Sequence, residues 1–395
     1  MSRSKLLVVV QRYGDGVAGG AEAHARQLVK RLRPHFDIEV LTTTASDYRT
    51  WDNTFTAGID WVDDVPVRRF PVLRQRAFDF KLYERRAFAG GHTLEDERTF
   101  VDAQGPYAPD LLEHLWRVGR DVPHVLFFTY IYYPTVRGLP LAPERAVLVP
   151  TAHDEPAIGL SIYKPVFHAP RAIAFNTEEE RAMVHRRFGN QRVPNDILGV
   201  GIDVPVDRQP DRFRERFGIE GDYLLYVGRI VESKGCRELF RYWASWRKAD
   251  PDREIKLVLI GQPEMPIPDR PDVVHLGVVS EQEKYDALEG AIALAVPEVL
   301  SSMSMVTLEA WACGRAVVCA AAAPVVWGMA RRARAGLAVK AAAELGEIVA
   351  MLADDPALRE RLGGSGRAFV QRTYSWPRIV ETYLDLFAEV RARNS

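Results

Sequence analysis

Cysteine is scarce in this chain: only Cys236, Cys313 and Cys319 occur in 395 residues. They lack metal-ligand spacing and fall inside helix or strand patterns. That argues against a disulfide scaffold or a zinc module and fits a reduced compartment. Long apolar runs are also missing. The basic start, Met1 to Lys5, is followed only by Leu6–Val10, too short for a signal sequence or a membrane span, and no later run is long enough. Nor is there an excess of either charge: 52 basic residues face 53 acidic ones, a net charge of −1. A field that balanced gives no bulk attraction to nucleic acid or to an anionic membrane. The expectation is a soluble cytoplasmic protein with no nucleic-acid partner, with peripheral contact at the inner face of the membrane left open.

What is present is a βα rhythm in two halves. At 395 residues and 47% apolar content, two to three domains with sizeable cores are expected. Leu6–Val10 reads as a buried parallel strand, followed by a loop rich in glycine and then a helix pattern ended by Pro34. Ile38–Leu41 is the next strand. Residues 44–107 break the rhythm. There Arg68, Arg69, Arg74, Arg76, Lys81, Arg85 and Arg86 are interleaved with Phe70, Phe78, Phe80 and Tyr83. This reads as a solvated, partly helical insertion; a sharper reading makes it a surface for an anionic or lipid-linked acceptor. Strands resume at 125–129, 146–150, 171–175 and 196–199, with a helix over Glu178–Phe188 capped by Thr177. The second half places strands at 223–227, 256–260, 273–276, 291–295 and 316–320. Its helices are led by Cys236, Glu281, Met305 and Val325, and Ser280-x-x-Glu283 forms a capping box. The tail puts Trp376, Ile379, Val380, Tyr383, Leu384 and Phe387 on one helix face. Two doubly wound α/β domains in tandem follow.

Two stretches carry chemistry in the second half. After the apolar run Tyr223–Val227 comes Gly228-Arg229, then Lys234-Gly235 and a helix. After the strand at 291–295 comes Pro297 to Ser304, leading into the helix at Met305. Both are strand, small or polar loop, helix N-terminus, a form that presents free N–H groups to an anion. Arg229 and Lys234 turn that form into a diphosphate site. In the first half, Gly14-Asp15-Gly16-Val17-Ala18-Gly19 matches G-x-G-x-x-G, but the helix begins only near Gly20. The second strand also ends Leu41-Thr42-Thr43-Thr44, without the acid that would hold a ribose 2′-hydroxyl, which counts against a dinucleotide enzyme. His153, in Thr151-Ala152-His153-Asp154-Glu155 at a strand's carboxyl end, reads as a ligand contact, a general acid/base, or a histidine satisfied by its own loop.

Gly19-Gly20-Ala21-Glu22, His153-Asp154, Gly201-Ile202-Asp203, Gly228-Arg229 through Lys234-Gly235, and Leu308-Glu309-Ala310 with Gly314 occur in that order. So arranged, the chain resembles family-4 retaining glycosyltransferases over nearly its whole length, apart from about 45–110. The resemblance implies the GT-B fold: two Rossmann-like domains facing a cleft, with the C-terminal helix crossing back to the first. On that basis the acceptor-side domain spans 1–202 with 374–395, and the nucleotide-sugar domain spans 203–373. It further implies that Gly228, Arg229 and Lys234 hold the donor diphosphate and that Glu309 accepts from the ribose hydroxyls. Gly19 and Gly20 would border the diphosphate and the transferred sugar, and His153 would sit at the reaction centre. No metal or other cofactor is expected. The acceptor would be a glycan, a polysaccharide or a lipid-linked saccharide. One departure stands out. The family's E-x7-E pattern, counted back from Glu309, falls on Ser301, so donor-binding Ser301-Ser302-Met303-Ser304-Met305 replaces a loop that usually begins with Glu. Glu298 is close by but out of register. The loss of that carboxylate keeps two alternatives in view: a weakened nucleotide-sugar binder or hydrolase, and a sugar-nucleotide epimerase of the same fold.

Overall fold

A computed structural model of the chain describes residues 3–17, 19–76 and 79–393. Ala18 of the glycine loop and Phe78 of the basic–aromatic stretch lie outside them. Contacts divide the chain into two units, Met1–Val200 with Pro377–Ser395, and Gly201–Trp376.

The first unit is built on an eight-stranded sheet: β1 (Ser4–Val9), β2 (Phe36–Thr43), β3 (Gly58–Val62), β4 (Val65–Phe70), β5 (His124–Phe128), β6 (Ala146–Val149), β7 (Ala172–Phe175) and β8 (Asn195–Ile197). Their order is β3-β4-β2-β1-β5-β6-β7-β8, parallel except for the β3–β4 hairpin. Chain direction across the sheet reverses between β1 and β5, so the glycine loop after β1 lies at a topological switch point. The central strands are buried on both faces, as continuous apolar runs require. The helix Trp376–Ala392 begins at the last residue of the second unit and otherwise belongs to the first. Its buried stripe is Trp376, Ile379, Tyr383, Leu386, Phe387 and Val390, with Val380 and Leu384 only half-buried. The Phe387 ring packs edge-on against Phe36 at 5.2 Å and lies 4.9 Å from His124.

The stretch at 44–107 is partly helical, with helices Phe80–Phe88 and Leu94–Gln104, and largely exposed over 79–96, as expected, but it is not an insertion outside the sheet. It supplies β3 and β4, and β4 extends the sheet in parallel register with β2. Each described basic side chain named from the sequence has a partner within the segment or the sheet. Arg69 is buried, donates to Tyr13 O at 2.6 Å and pairs with Asp60 at 3.1 Å. Arg68 pairs with Glu39 at 2.7 Å, Lys81 with Glu84 and Arg86 with Asp96. Arg74 lies over the Tyr107 ring, Arg76 lies between Trp51 and Phe80, and Arg85 donates to Lys81 O. Arg69 is thus part of the core of the segment, while Lys81 and Arg86 stay exposed to solvent.

The second unit has a six-stranded, wholly parallel sheet: β9 (Asp222–Val227), β10 (Ile255–Ile260), β11 (Val273–His275), β12 (Ala293–Val296), β13 (Ala316–Ala320) and β14 (Gly336–Val339). The order is β11-β10-β9-β12-β13-β14, and the switch point falls between β9 and β12. The helices Cys236–Ala249, Glu281–Gly290 and Met305–Ala312 start where the sequence places them, and the helix expected at Val325 begins at Pro324. Gly201 and Trp376, the first and last residues of the unit, are in contact: a Cβ at 201 would lie 2.5 Å from the indole. Among the described residues, no helix is long and apolar enough to cross a membrane.

Candidate functional site

The loops after β9 and β12 flank the switch point of the second unit and touch each other. Gly235 makes this contact work. Its φ is +76°, and a Cβ there would lie 2.4 Å from the Pro297 carbonyl oxygen, so only glycine fits. The helix Cys236–Ala249 begins at Gly235 and the helix Met305–Ala312 at Ser304, and neither has a side-chain cap. Thr177 and Ser280, by contrast, cap helices elsewhere through their hydroxyls. The uncapped ends leave backbone N–H groups for an anion. The helix Cys236–Ala249 is anchored by buried Cys236, Leu239, Phe240, Trp243 and Trp246, which fixes its N-terminus against the sheet.

Gly228, Arg229, Lys234 and the segment Ser301–Met305 therefore gather at the carboxyl ends of two adjacent strands. Tyr226 donates to Arg229 O at 2.7 Å and pins the turn. Arg229 and Lys234 are half-exposed, with Glu264 3.5 Å from the guanidinium and Glu298 2.5 Å from the ammonium. Ser301 is 9% exposed and its buried Oγ has no hydrogen-bond partner, while Thr307 Oγ1 donates to Ser304 Oγ at 2.8 Å. Ser302, Met303 and Met305 are half-buried. Glu309, one turn into the helix, is buried against Lys284 at 3.0 Å. Burial raises the Glu309 carboxyl above its usual range and Lys284 opposes that rise. The same two loops form part of the wall of a cavity of about 680 Å³, completed by Val318–Ala322 and Lys340.

In the first unit the loop after β1 is locked by a buried ion pair. Arg12 Nη2 and Nε donate to Glu22 Oε1 at 2.6 and 3.0 Å, Gln11 Nε2 donates to the same oxygen, and Arg12 Nη1 reaches Ser46 O. A Cβ on Gly19 would lie 2.1 Å from Glu22 Oε2, so a side chain there would displace the carboxylate that Arg12 holds. Gly19 and Gly20 are exposed, and the helix Gly20–Leu32 also lacks a side-chain cap.

His153 lies at the carboxyl end of β6, two strands from β1. The adjoining strands β5 and β6 are followed by left-handed threonines, Thr129 (φ +66°) two residues before Ile131 and Thr151 (φ +48°) two residues before His153. Non-glycine residues in that region carry strain that the surroundings must overcome. His153 Nε2 lies 3.5 Å from Glu155 Oε2, and Tyr130 donates to Glu155 Oε1 at 2.8 Å. Burial alone would raise Glu155; the His153 hydrogen bond and charge and the Tyr130 hydroxyl together bring it below the usual range. Asp154 points away, to Arg187 at 2.9 Å.

A family model described as glycosyl transferases group 1 matches residues 221–355, which hold the switch-point loops of the second unit. D-inositol 3-phosphate glycosyltransferase 1 of Catenulispora acidiphila is 27% identical over 95% of this chain and 91% of its own. Sucrose-phosphate synthase from Thermosynechococcus elongatus has the same fold, with a TM-score of 0.70, 17% identity and coverage of 99% and 100%. So has Anabaena HepE in complex with UDP-glucose, with a TM-score of 0.67, 14% identity and coverage of 97% and 99%. The chain has the GT-B fold, and its residues 221–355 match the glycosyl transferases group 1 model.

Sequence reasoning missed one buried link beside the loop that carries His153. Thr177–Glu180 reads as a cap and first turn, and Thr177 Oγ1 does accept from Glu180 N. Glu180 itself, however, is buried, and its two oxygens accept from Ala152 N at 2.5 Å and Asn176 N at 2.6 Å, joining the loops after β6 and β7. A Glu at the third helical position usually reaches back to its own cap, and nothing local signals the longer reach. Burial pushes Glu180 up to about 8, against the two amide hydrogen bonds. The unfolded chain ionises this group near 4.5, so its contribution to stability is present at low pH and is lost as pH rises from about 4.5 towards 8. Buried His24 and His124, held down to about 4, act in the opposite sense below about 6.5. The expected result is therefore differential: the Tm gap between the parent and Glu180→Gln narrows as pH climbs from 5 to 8. A gap that stays constant removes the titration of Glu180 from the explanation.

Proposed function

We propose that this transferase moves a hexose from a nucleoside-diphosphate sugar to a hydroxyl of a glycan, polysaccharide or lipid-linked saccharide, with retention of anomeric configuration. The observation that carries the donor half is the meeting of two uncapped helix N-termini with Arg229 and Lys234 at one switch point. In the reaction so proposed, the bond between the anomeric carbon and the diphosphate oxygen breaks and a bond to the acceptor oxygen forms on the same face. The acceptor proton leaves on the departing diphosphate. The protein's work is positioning and meeting the charge that develops on the leaving group, with Arg229, Lys234 and the amides rather than a metal ion assigned to it. Glu309 is assigned to the ribose, Ser301–Met305 and Gly19–Gly20 to the sugar and its phosphates, and His153 to the reacting hydroxyls. The reading places the protein in the cytoplasm, where its buried free cysteines stay reduced.

The test is incubation with uridine, guanosine and adenosine diphosphate sugars, with and without saccharide acceptors, followed by product analysis. A new glycoside with the donor's anomeric configuration is expected. Free sugar alone would make the protein a hydrolase, an isomerised donor an epimerase, and donor binding without turnover a binder. The unpartnered Ser301 hydroxyl is what keeps the last of these alive. His153→Ala is expected to lower kcat by about 10² while donor affinity, read by calorimetry, stays within about twofold. A large loss of donor affinity instead would move His153 out of the reaction centre.

A further inference from the structure

Both cations assigned to the donor diphosphate have carboxylate neighbours, and the two pairs differ. Arg229 and Glu264 stand 3.5 Å apart, with the guanidinium 40% exposed. Lys234 and Glu298 are in tight contact at 2.5 Å, with Glu298 only 15% exposed. Glu298 is also delivered rigidly. It follows Pro297, whose carbonyl packs on Gly235, so the carboxylate and the ammonium are set by the same close approach of two loops. A carboxylate aimed at a phosphate-binding ammonium presents the same charge and the same hydrogen-bonding oxygens as the phosphate it excludes.

We infer that Glu298 is an internal counter-ion that stands in for a donor phosphate on Lys234 and gives up the ammonium when a diphosphate arrives. This rests on the diphosphate reading of Arg229 and Lys234 given above. The exchange sets a threshold. A single phosphate gains too little from Lys234 alone to displace the carboxylate. A diphosphate that also engages Arg229 and the two helix N-termini gains enough. Glu298 is thus a specificity-determining residue that biases the site against orthophosphate and towards diphosphate-bearing ligands. Its position out of register with Glu309 is what lets it reach Lys234.

Calorimetric titration of the full chain with UDP, GDP, ADP and orthophosphate tests this. In Glu298→Gln, which preserves volume, the tightest of the three nucleotides is expected to bind about tenfold tighter than in the parent. Orthophosphate is expected to gain more, so that the preference for diphosphate shrinks. Glu298→Ser should move both in the same direction, which guards against a side-chain packing artefact. Adding Lys234→Met should cancel the gain. Equal or weaker binding in both Glu298 variants, or a gain that survives Lys234→Met, overturns the inference. The two readings fail separately. If Lys234→Met alone leaves nucleotide binding unchanged, the diphosphate assignment is lost. If it weakens binding while neither Glu298 variant tightens it, the assignment stands and the counter-ion does not.

Discussion

Replacing Arg229 and Lys234 together with alanine is expected to cut sugar transfer by a factor of roughly 10² to 10⁴, from two charge-assisted contacts of about 1.5–3 kcal/mol each. The fold should survive. Both side chains are half-exposed, and their pairs with Glu264 and Glu298 are of the kind that contributes little to folding. An unchanged Tm with transfer lost is the expected signature, and turnover within about threefold of the parent would remove both residues from the donor site. The loss should appear chiefly as weaker donor binding and slower departure of the diphosphate. Helix ends alone cannot hold two adjacent phosphates against water, since a surface-exposed helix end supplies only about 0.3–1 kcal/mol of charge interaction.

Lys284→Met should give the largest change in stability. Lys284 and Glu309 are 12% and 11% exposed and lie 3.0 Å apart, so removing the ammonium leaves a buried carboxylate without its partner. That costs about 3–5 kcal/mol when the acid is ionised. Burial already raises Glu309 and Lys284 is the main force opposing it, so the variant carries a still weaker acid. The unfolded chain ionises this group first, near 4.5, and the penalty therefore grows as pH climbs through the folded value and is small below it. Chemical unfolding at pH 5 and pH 8 checks the sign: a variant equally destabilised at both has lost packing and not a counter-ion. Glu309→Gln separates stability from function. It should raise the donor KM by about tenfold, and a rise confined to the acceptor KM would take Glu309 away from the ribose.

Much of the architecture was legible because its signals are local. β1, β5, β6 and β9 are continuous apolar runs, and the helix starts at Glu178 and Glu281 are set by the Thr177 and Ser280 caps within three residues. β4 was not legible. Its Val65 and Val67 alternate with side chains that end in Arg68 and Arg69, and a buried arginine is recognisable only once Asp60 and the Tyr13 carbonyl are beside it. β14 opens on Gly336 and is buried only at Val339, so it lacks the fully buried apolar run of the equally short β6. At the site, Arg229, Lys234 and Glu309 could be picked out one at a time. Their carboxylate and ammonium partners, Glu264, Glu298 and Lys284, lie 25 to 64 residues away and are joined to them only by the sheet order. Glu298 shows the limit most plainly. Counting positions along the chain sets it aside, whereas the contact of two loops at Gly235 brings it to Lys234.

The contact between Gly201 and Trp376 makes residues 201–376 an insert with adjoining ends. Ile202 N also donates to Tyr374 O at 3.3 Å, so the two chain crossings are stapled side by side. A segment closed in this way behaves as a cassette. Its excision, or its exchange for an equivalent segment, would need only one short splice at each end. On the function proposed above, donor choice would then be exchanged without rebuilding the half of the molecule that carries His153.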